Sequence, residues 1–378
     1  MALLFQFFLF SWILFIPMKT VFYQMSYMMM LTLVIFHIYI NKTFDDLLSI
    51  FVRLKDIIFV LLCILLSMAI SNAMSEFSTF MSWKVEFTYI YRYIFASILL
   101  LYAYQQHFFP KKTLVIFIIF SLFVQSAEGI YQYLTNLDSL NTGLNAWTHN
   151  RNTLGMFMTI GSSIIIGIIF YHKQYQMKKI EYFLLIMTLF LFLFNLLFSY
   201  SRASWLAFFA FIVVLWLSNL KTISRKKYFF ILCFLAIFIS LFLTIPHLAH
   251  RFNSMVELDS SYRFEIWEQA WSLIIQKPFF GYGLMSYAYI GMPNITGVHN
   301  AILEILLYLG VFGFIFYTAV FFQVIKEQIP QKNFFFLAIS SVFIVLMQFD
   351  QSITGGIVFL SPLSIFAFFI FEKRISNE

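Results

Sequence analysis

The sequence predicts an all-α polytopic membrane protein with about 12 transmembrane helices. Hydrophobic residues make up 62% of the 378 residues and charged residues only 11%, too few to cover a soluble body of this size. The same composition excludes a soluble nucleic-acid binder, despite a net charge of +7. The apolar runs are continuous and do not alternate, which favours helices over a barrel. With 53 Phe and 21 Tyr against 13 Gly and 7 Pro, we expect long uninterrupted helices.

The predicted spans are apolar stretches of roughly 17 to 25 residues. They lie near 1–16, 21–40, 57–74, 88–104, 113–134, 153–171, 182–200, 203–218, 228–245, 299–325, 333–349 and 356–371. Only the polar patch 199–202 divides the seventh span from the eighth, and together these two are too long for one crossing. We expect the spans to form a single membrane domain, residues 1–378.

The basic residues orient the predicted spans. With both termini in the cytoplasm, sixteen of the 24 Lys and Arg residues fall on the cytoplasmic side, seven fall on the opposite side, and Arg92 lies within the fourth span. The longest outer loop is then 246–298, and a smaller one covers 135–152. Because long connections in a compact protein commonly carry function, chemistry is expected on the outer side.

The large loop contains a predicted amphipathic helix, whose apolar side chains recur at helical spacing. They are Phe264, Trp267, Trp271 and Ile274. Such a helix is expected to lie along the bilayer surface. Arg263 would stand at its N-terminal end, where a cation is disfavoured unless an anion shares the site.

Three arginines on the outer side stand at predicted helix ends: Arg151, Arg202 and Arg263. An arginine near a membrane interface commonly snorkels or anchors to lipid phosphate, so each alone has an ordinary explanation. Three arginines together, on the side of the membrane where the positive-inside rule disfavours them, are also consistent with a functional explanation. Guanidinium groups bind phosphate through paired hydrogen bonds and would compensate a lipid-linked diphosphate without a metal.

His299 begins the tenth predicted span. A lone histidine there is more often an interfacial hydrogen-bonding residue than a catalyst. On an ideal helix Gly310 shares the face of His299, about 20° and about 16 Å away, and together with Gly313 it is expected to admit a neighbouring helix closely. Two carboxylates are further candidates, because ionisable groups inside a membrane are usually functional: Glu304 on the same helix, and Asp350 at the outer end of the eleventh span.

These residues resemble the O-antigen ligase family, which shares a superfamily with bacterial O-antigen polymerases. His299 and Asn300, nine further residues and then Gly310-x-x-Gly313 match its pattern H-[NSQ]-x9-G-x-x-[GTY]. The pattern is moderately specific alone and stronger in this topology.

Other parts of the chain extend the resemblance. The segment NRNTLG at 150–155 is similar to the family's N-R-N-x-x-G type, and SRASW at 201–205 is similar to its S-R-x-x-W/L type. Arg263 matches an arginine of the family's large periplasmic loop, and Asp350 matches an acidic residue that some members carry. The high Phe and low Gly content is a departure that leaves the motif intact.

The resemblance implies a lipid-diphosphate-dependent glycosyltransferase with a GT-C-like fold, inverting and metal-independent, with no cofactor. It implies a bacterial inner-membrane protein whose active site faces the periplasm. The donor would be an undecaprenyl-diphosphate-linked glycan, and the acceptor a sugar hydroxyl on lipid A core.

The resemblance also implies residue roles. Arg202 and Arg263, with Arg151 assisting, would bind the donor diphosphate. His299 would orient or deprotonate the acceptor hydroxyl. Glu304 or Asp350 would tune its pKa.

Three alternatives stay open. A repeat-unit polymerase would use the same donor type with a second lipid-linked repeat as acceptor, and the sequence separates it poorly from a ligase. A protein O-glycosyltransferase is less favoured because the chain is short. A transporter or flippase of lipid-linked sugars fits the number of spans but lacks an inverted repeat and paired broken helices.

Overall fold

The computed structural model describes residues 1–18, 21–135, 142–170, 178–219, 240, 244–256, 262–293, 295, 297–328, 334–349 and 356–375. Two predicted features lie outside these residues: most of the ninth span, near 228–245, and Asp350.

The described residues form α-helices and turns, and none of them is in a β-strand. The helices are α1 (Ala2–Phe15), α2 (Val21–Asn41), α3 (Phe44–Arg53), α4 (Lys55–Met74), α5 (Phe80–Tyr89), α6 (Ala96–Gln105), α7 (Lys111–Thr135), α8 (Arg151–Phe170), α9 (Lys179–Phe198), α10 (Arg202–Ser218), α11 (Pro246–Val256), α12 (Arg263–Gln276), α13 (Tyr287–Ile290), α14 (Ala301–Gln328), α15 (Phe334–Met347) and α16 (Gly356–Ile375). A π-helical turn (Ile90–Phe95) joins α5 to α6. The predicted all-helical fold is confirmed for these residues.

Within the part of the chain that the structure describes, six helices are long and apolar enough to cross a membrane: α2, α4, α7, α8, α9 and α14. Shorter apolar helices include α1, α6 and α10. The chain is therefore a polytopic membrane protein, and the count of twelve spans stays a prediction. The division between the seventh and eighth spans is confirmed, because α9 ends at Phe198 and α10 begins at Arg202.

The expectation of long uninterrupted helices is wrong at two places. The fourth predicted span passes through the π-helical turn, where Tyr27 donates its hydroxyl to the backbone carbonyl of Tyr91 (2.6 Å). Helix α14 is broken at Gly310, which has φ 66° and ψ −166°. A low overall glycine count does not prevent a break, since one glycine at the right position is enough.

The chain divides into two compact units. The first unit comprises Met1–Phe117, Tyr262–Gln331 and Met347–Glu378, and the second comprises Ile118–Ser261 and Lys332–Leu346. In the first unit, a buried core joins α4, α12 and α14 to the segment between α12 and α14. The part of the large loop that begins at Tyr262 is therefore packed into this unit through its own apolar side chains.

In the second unit, small and polar residues let helices approach closely, as is common between membrane helices. Asn195 of α9 donates its side-chain amide to Oγ of Ser126 on α7 (2.8 Å). Gly129, one turn further along α7, leaves the space that the Asn195 side chain fills. On α8, a β-carbon at Gly161 would lie 2.7 Å from the Phe192 ring.

Candidate active site

Helix α12 begins at Arg263 and has Tyr262 as its N-cap residue, so the arginine stands at the N-terminal end of the helix, as expected. Its buried face consists of Ile266, Ala270 and Ile274. Of the predicted apolar stripe, Ile274 is buried and Trp267 packs against the core, whereas Phe264 and Trp271 are each 53% exposed. The position of this helix along the bilayer surface stays a prediction. The helix approaches the core at the small residue Ala270, and this turns the larger aromatic side chains to its flanks.

The Arg263 side chain reaches the turn that follows α15. Its Nη2 donates to the carbonyl oxygen of Phe349 (3.4 Å), and its guanidinium carbon lies 5.6 Å from the centre of the Phe349 ring. This distance is within the range of a cation–π contact. Because Arg263 is the first residue of α12, its charge lies at the positive end of the helix dipole, and an anion there would relieve the repulsion.

His299 lies in a left-handed turn just before α14, two residues outside the helix that it was expected to begin. Its φ is 56°, which is uncommon for a residue other than glycine. The indole Nε1–H of Trp267 donates to the carbonyl oxygen of Val298 (3.1 Å). The backbone on the N-terminal side of His299 is therefore tied to α12.

Asn300 holds the other side of this turn. Its Oδ1 accepts a backbone N–H from the first turn of α14 (3.1 Å), which is the contact of an N-cap residue. Its Nδ2 lies 3.4 Å from the carbonyl oxygen of Gln348. Since Arg263 contacts Phe349, the dipeptide Gln348–Phe349 links Arg263 to the residue that follows His299.

Glu304 lies on the first turns of α14 and is fully buried. Its carboxyl group lies close enough to interact electrostatically with the fully buried Tyr308, and so does the hydroxyl of Tyr287. Tyr287 donates its hydroxyl to Oε1 of Gln269 on α12 (2.9 Å), and burial raises its pKa. Tyr287 therefore stays a hydrogen-bond donor at neutral pH. With Glu304, Tyr308 and Gln269 it forms a polar cluster inside the first unit.

The loop after α12 supplies hydrogen bonds at the break in α14. The backbone N–H groups of Tyr282 and Gly283 donate to the carbonyl oxygens of Leu307 and Tyr308 (2.9 and 3.0 Å). On the other side of the break, the N–H of Val311 donates to the loop as well. The loop backbone therefore satisfies groups that a continuous helix would pair internally.

Gly310 is the point of closest approach between the loop and α14. The N–H of Val311 donates to the carbonyl oxygen of Pro278 (2.8 Å), and a β-carbon at Gly310 would overlap the Phe279 carbonyl group. The expectation that Gly310 admits a neighbouring helix and shares a continuous helical face with His299 is therefore wrong: the turn at residues 278–280 occupies the space. Gly313 is buried on α14, and its packing role stays a prediction.

Side chains of α4 and α5 hold the same loop from a third direction. Ser75 donates its hydroxyl to the carbonyl oxygen of Tyr282. Asn72 accepts the N–H of Leu284 (2.9 Å), and Ser82 donates to the Leu284 carbonyl (2.8 Å). The loop is thus fixed through its backbone, so its conformation depends on the helices around it.

Glu86 on α5 belongs to the same group of side chains around the loop. No sequence pattern indicates it as a candidate site residue. It accepts a hydrogen bond from Nδ2 of Asn72 (3.2 Å). Burial raises the pKa of Glu86 and outweighs the opposite effect of the Asn72 bond. No local motif marks this carboxylate, because its environment comes from residues more than ten positions away.

In the second unit, Arg151 is the first residue of α8. Asn150 caps the helix: its Oδ1 accepts the backbone N–H of Asn152 (2.8 Å) and of Thr153 (3.3 Å). Arg151 donates through Nη1 to the carbonyl oxygen of Thr142 (3.0 Å). The local sequence NRNT therefore starts a helix and places a cation at its first residue.

Arg202 is placed in the same way at the start of α10. Ser201 caps this helix by accepting the N–H of Ser204 (3.4 Å). Gly155 of α8 packs directly on the turn, since a β-carbon there would lie 2.6 Å from Ser204 Oγ and 2.7 Å from Ser201 Cβ. The glycine of the N-R-N-x-x-G segment thus permits the two arginine-bearing turns to meet.

Arg151 and Arg202 lie close enough for their positive charges to repel each other. Each also lies at a helix N-terminus, where a cation is disfavoured. Both effects are relieved by an anion. The pair is therefore suited to a phosphate-bearing ligand.

A left-handed residue stands one or two positions before each of the three arginines. These residues are His149 (φ 54°), Tyr200 (φ 54°) and Tyr262 (φ 64°). Together with His299, they are four of the eight non-glycine residues with positive φ among the described residues; the other four are Lys42, His107, Ala146 and Met285. Strained backbone of this kind is common at functional sites.

The structure brings together part of the predicted site within each unit. Arg263, His299 and Glu304 belong to the first unit, and Arg151 and Arg202 belong to the second. A common site for all five stays a prediction, and the predicted role of Asp350 falls outside the described residues.

A metal site was not expected from the sequence. Within the described parts of the chain, no group of three His, Cys, Asp or Glu side chains is placed to hold a metal ion. Metal-independent chemistry stays a prediction, to be tested by chelation.

Comparison with known proteins gives one family match. The family model described as O-antigen ligase matches residues 187–318, about a third of the chain. The matched segment contains Arg202, Arg263, His299 and Glu304, while Arg151 and Asp350 lie outside it. The match supports the resemblance predicted from the sequence. No curated protein matches the chain.

Proposed function

We propose, on the premise that the chain belongs to the O-antigen ligase family, that it transfers an undecaprenyl-diphosphate-linked polysaccharide onto a sugar hydroxyl of lipid A core. Members of this family are glycosyltransferase-like ligases and polymerases. The observation that carries the proposal is that the matched segment includes both Arg263 and His299. Within the first unit, Trp267 on the helix that begins at Arg263 contacts Val298, the residue before His299. The dipeptide Gln348–Phe349 contacts both Asn300, the residue after His299, and Arg263.

In this proposal the arginines bind the donor diphosphate. Arg263 takes the charge that grows on the leaving diphosphate, and Arg202 and Arg151 contribute further positive charge. Support comes from the position of all three at the first residue of a helix. An anion that binds at such a helix start stabilises the arginine there. The arginines therefore bind the most highly charged form of the ligand most tightly.

His299 orients or deprotonates the acceptor hydroxyl. The acceptor oxygen forms a bond to the anomeric carbon while the bond from that carbon to the diphosphate oxygen breaks, which inverts the configuration. The hydroxyl proton passes to His299 or to water, and the diphosphate leaves with the bonding electrons. Glu304 or Asp350 tunes the proton affinity of His299.

The reaction is proposed to take place at the periplasmic face of a bacterial inner membrane. Support comes from the excess of Lys and Arg in the loops assigned to the opposite side. Guanidinium groups supply the charge compensation, so the proposed chemistry needs no metal ion.

The test is transfer of a labelled lipid-diphosphate-linked glycan by purified protein in detergent. Two acceptors are offered separately: lipid A core and a second lipid-linked repeat. Label on lipid A core supports a ligase, whereas label only on the second repeat would make the protein a polymerase. No transfer to either acceptor would contradict both a ligase and a polymerase.

A chelator provides the second arm of the same assay. The rate with the chelator is expected to equal the rate without it. Inhibition that only Mg²⁺ reverses would contradict the metal-independent mechanism.

A further inference from the structure

Trp267 joins helix α12 to the turn that carries His299. Its indole N–H donates to the carbonyl oxygen of Val298 (3.1 Å), the residue immediately before His299. Trp267 lies four residues after Arg263, so the two side chains leave nearly the same side of the helix, about one turn apart. A single short helix therefore carries Arg263 and also contacts the backbone at His299.

The indole itself is held in place. The Phe264 ring meets it edge-on, with centroids 5.7 Å apart and an interplanar angle of 87°. Trp267 also packs against the buried core of the first unit, to which the fully buried Val298 belongs. Loss of the indole N–H would leave a buried carbonyl group without that donor, which is costly in a low-dielectric interior.

The turn at His299 needs such support. A left-handed backbone at a residue other than glycine persists only where its surroundings fix it. The Trp267 bond fixes one side of the turn, and the contact between Asn300 and Gln348 fixes the other.

We propose that Trp267 is a positioning residue that keeps His299 in register with Arg263. The proposal rests on the proposed function, which assigns Arg263 to the donor diphosphate and His299 to the acceptor hydroxyl. Trp267 touches neither substrate. Its effect is on the relative placement of two reacting partners, so its loss lowers kcat more than it raises the KM for the donor.

The first test compares Trp267→Phe with Trp271→Phe. Phenylalanine keeps an aromatic ring at position 267 but cannot donate to Val298, while Trp271 lies on the same helix with its side chain 53% exposed. We expect Trp267→Phe to lower kcat about tenfold, with the donor KM unchanged within about twofold. Amide hydrogen exchange in the peptide 297–305 is expected to become faster. Trp271→Phe should change none of these quantities.

A second variant removes the donor alone. Replacing the Trp267 indole with benzothiophene keeps the two-ring shape without the N–H, and it should reproduce the effects of Trp267→Phe. Wild-type kcat and wild-type exchange in this protein would overturn the proposal.

Amide hydrogen exchange also distinguishes a failure of the role proposed for Trp267 from a failure of the proposed function. If the wild-type protein transfers no sugar, the proposed function fails, but exchange in 297–305 still reports on the contact. Faster exchange in both Trp267 variants would then support the structural role of Trp267, and unchanged exchange would overturn it.

Discussion

The backbone of Phe279 runs so close to Gly310 that a β-carbon at position 310 would overlap the Phe279 carbonyl group. The φ of 66° and ψ of −166° at Gly310 also belong to a region that is almost exclusive to glycine. Two constraints therefore require glycine at this position: the backbone angles of residue 310 and the close approach of the loop that follows α12.

We expect Gly310→Ala to lower the melting temperature in detergent by about 2 °C or more, because strain and overlap together cost at least about 1–3 kcal/mol. Thermal unfolding monitored by tryptophan fluorescence measures this. Val311→Ala, at the adjacent exposed position, is the matched control. Equal melting temperatures for Gly310→Ala and the wild type would contradict the packing of the loop against the break.

Glu86 is expected to make stability depend on pH. Its pKa is raised above the ordinary value of 4.5, so the folded state holds the proton more tightly than the unfolded state. Its stabilising contribution is complete below pH 4.5 and is lost as the pH rises through the raised value. Glu86→Gln stays neutral and can still accept from Asn72, so it should melt above the wild type at pH 7.5, with the difference shrinking toward pH 4.5.

Glu76→Gln is the control for this measurement, since the Glu76 side chain is 79% exposed. It should show no comparable pH-dependent gain. A Glu86→Gln protein that melts at or below the wild-type temperature at pH 7.5 would contradict the effect of burial on Glu86.

Gly155 is expected to control the spacing of the two arginine-bearing turns in the second unit. A β-carbon there would come within 3 Å of side-chain atoms of Ser199, Ser201 and Ser204. Gly155→Ala should therefore displace Arg202 relative to Arg151 and raise the KM for the donor about fivefold, equivalent to about 1 kcal/mol. The exposed neighbour Asn152, changed to Ala, is the control. An unchanged donor KM in Gly155→Ala would be evidence against the arginine pair as a diphosphate site.

Two buried tyrosines are expected to respond oppositely to loss of the hydroxyl group. The Tyr308 hydroxyl is buried and has no hydrogen-bond partner among the described residues, whereas the Tyr287 hydroxyl donates to Gln269 (2.9 Å). Removing an unpaired buried hydroxyl is neutral or stabilising, and removing a paired one leaves its acceptor unsatisfied. Tyr308→Phe should keep or raise the melting temperature, and Tyr287→Phe should lower it by about 2 °C or more. The reverse order would contradict these contacts.

The helix starts were predictable from the sequence because their signals are local. Asn150 and Ser201 are capping residues directly before Arg151 and Arg202, and the structure begins α8 and α10 at those arginines. Apolar periodicity likewise predicts a helix with Arg263 at its N-terminal end, and α12 begins there. Such signals depend on only a few neighbouring residues, so they can be recognised without knowledge of the tertiary structure.

The break in α14 was not predictable in the same way. An ideal helix places Gly310 on the face of His299, and only the loop backbone near Phe279 makes that geometry impossible. The contact between Trp267 and Val298 likewise joins residues 31 positions apart. Tertiary contacts of this kind decide the conformation at His299, and no local pattern contains them.

The rate of sugar transfer in Arg263→Lys and His299→Ala proteins, compared with wild type at saturating donor and acceptor, tests the proposed site. Lysine keeps the charge but loses the paired hydrogen bonds to phosphate, so Arg263→Lys should lower kcat about 100-fold. Loss of a group that deprotonates the acceptor should lower kcat by about 10²–10⁴-fold in His299→Ala. If both proteins instead keep kcat within about twofold of wild type while folding normally, Arg263 and His299 do not carry out the transfer.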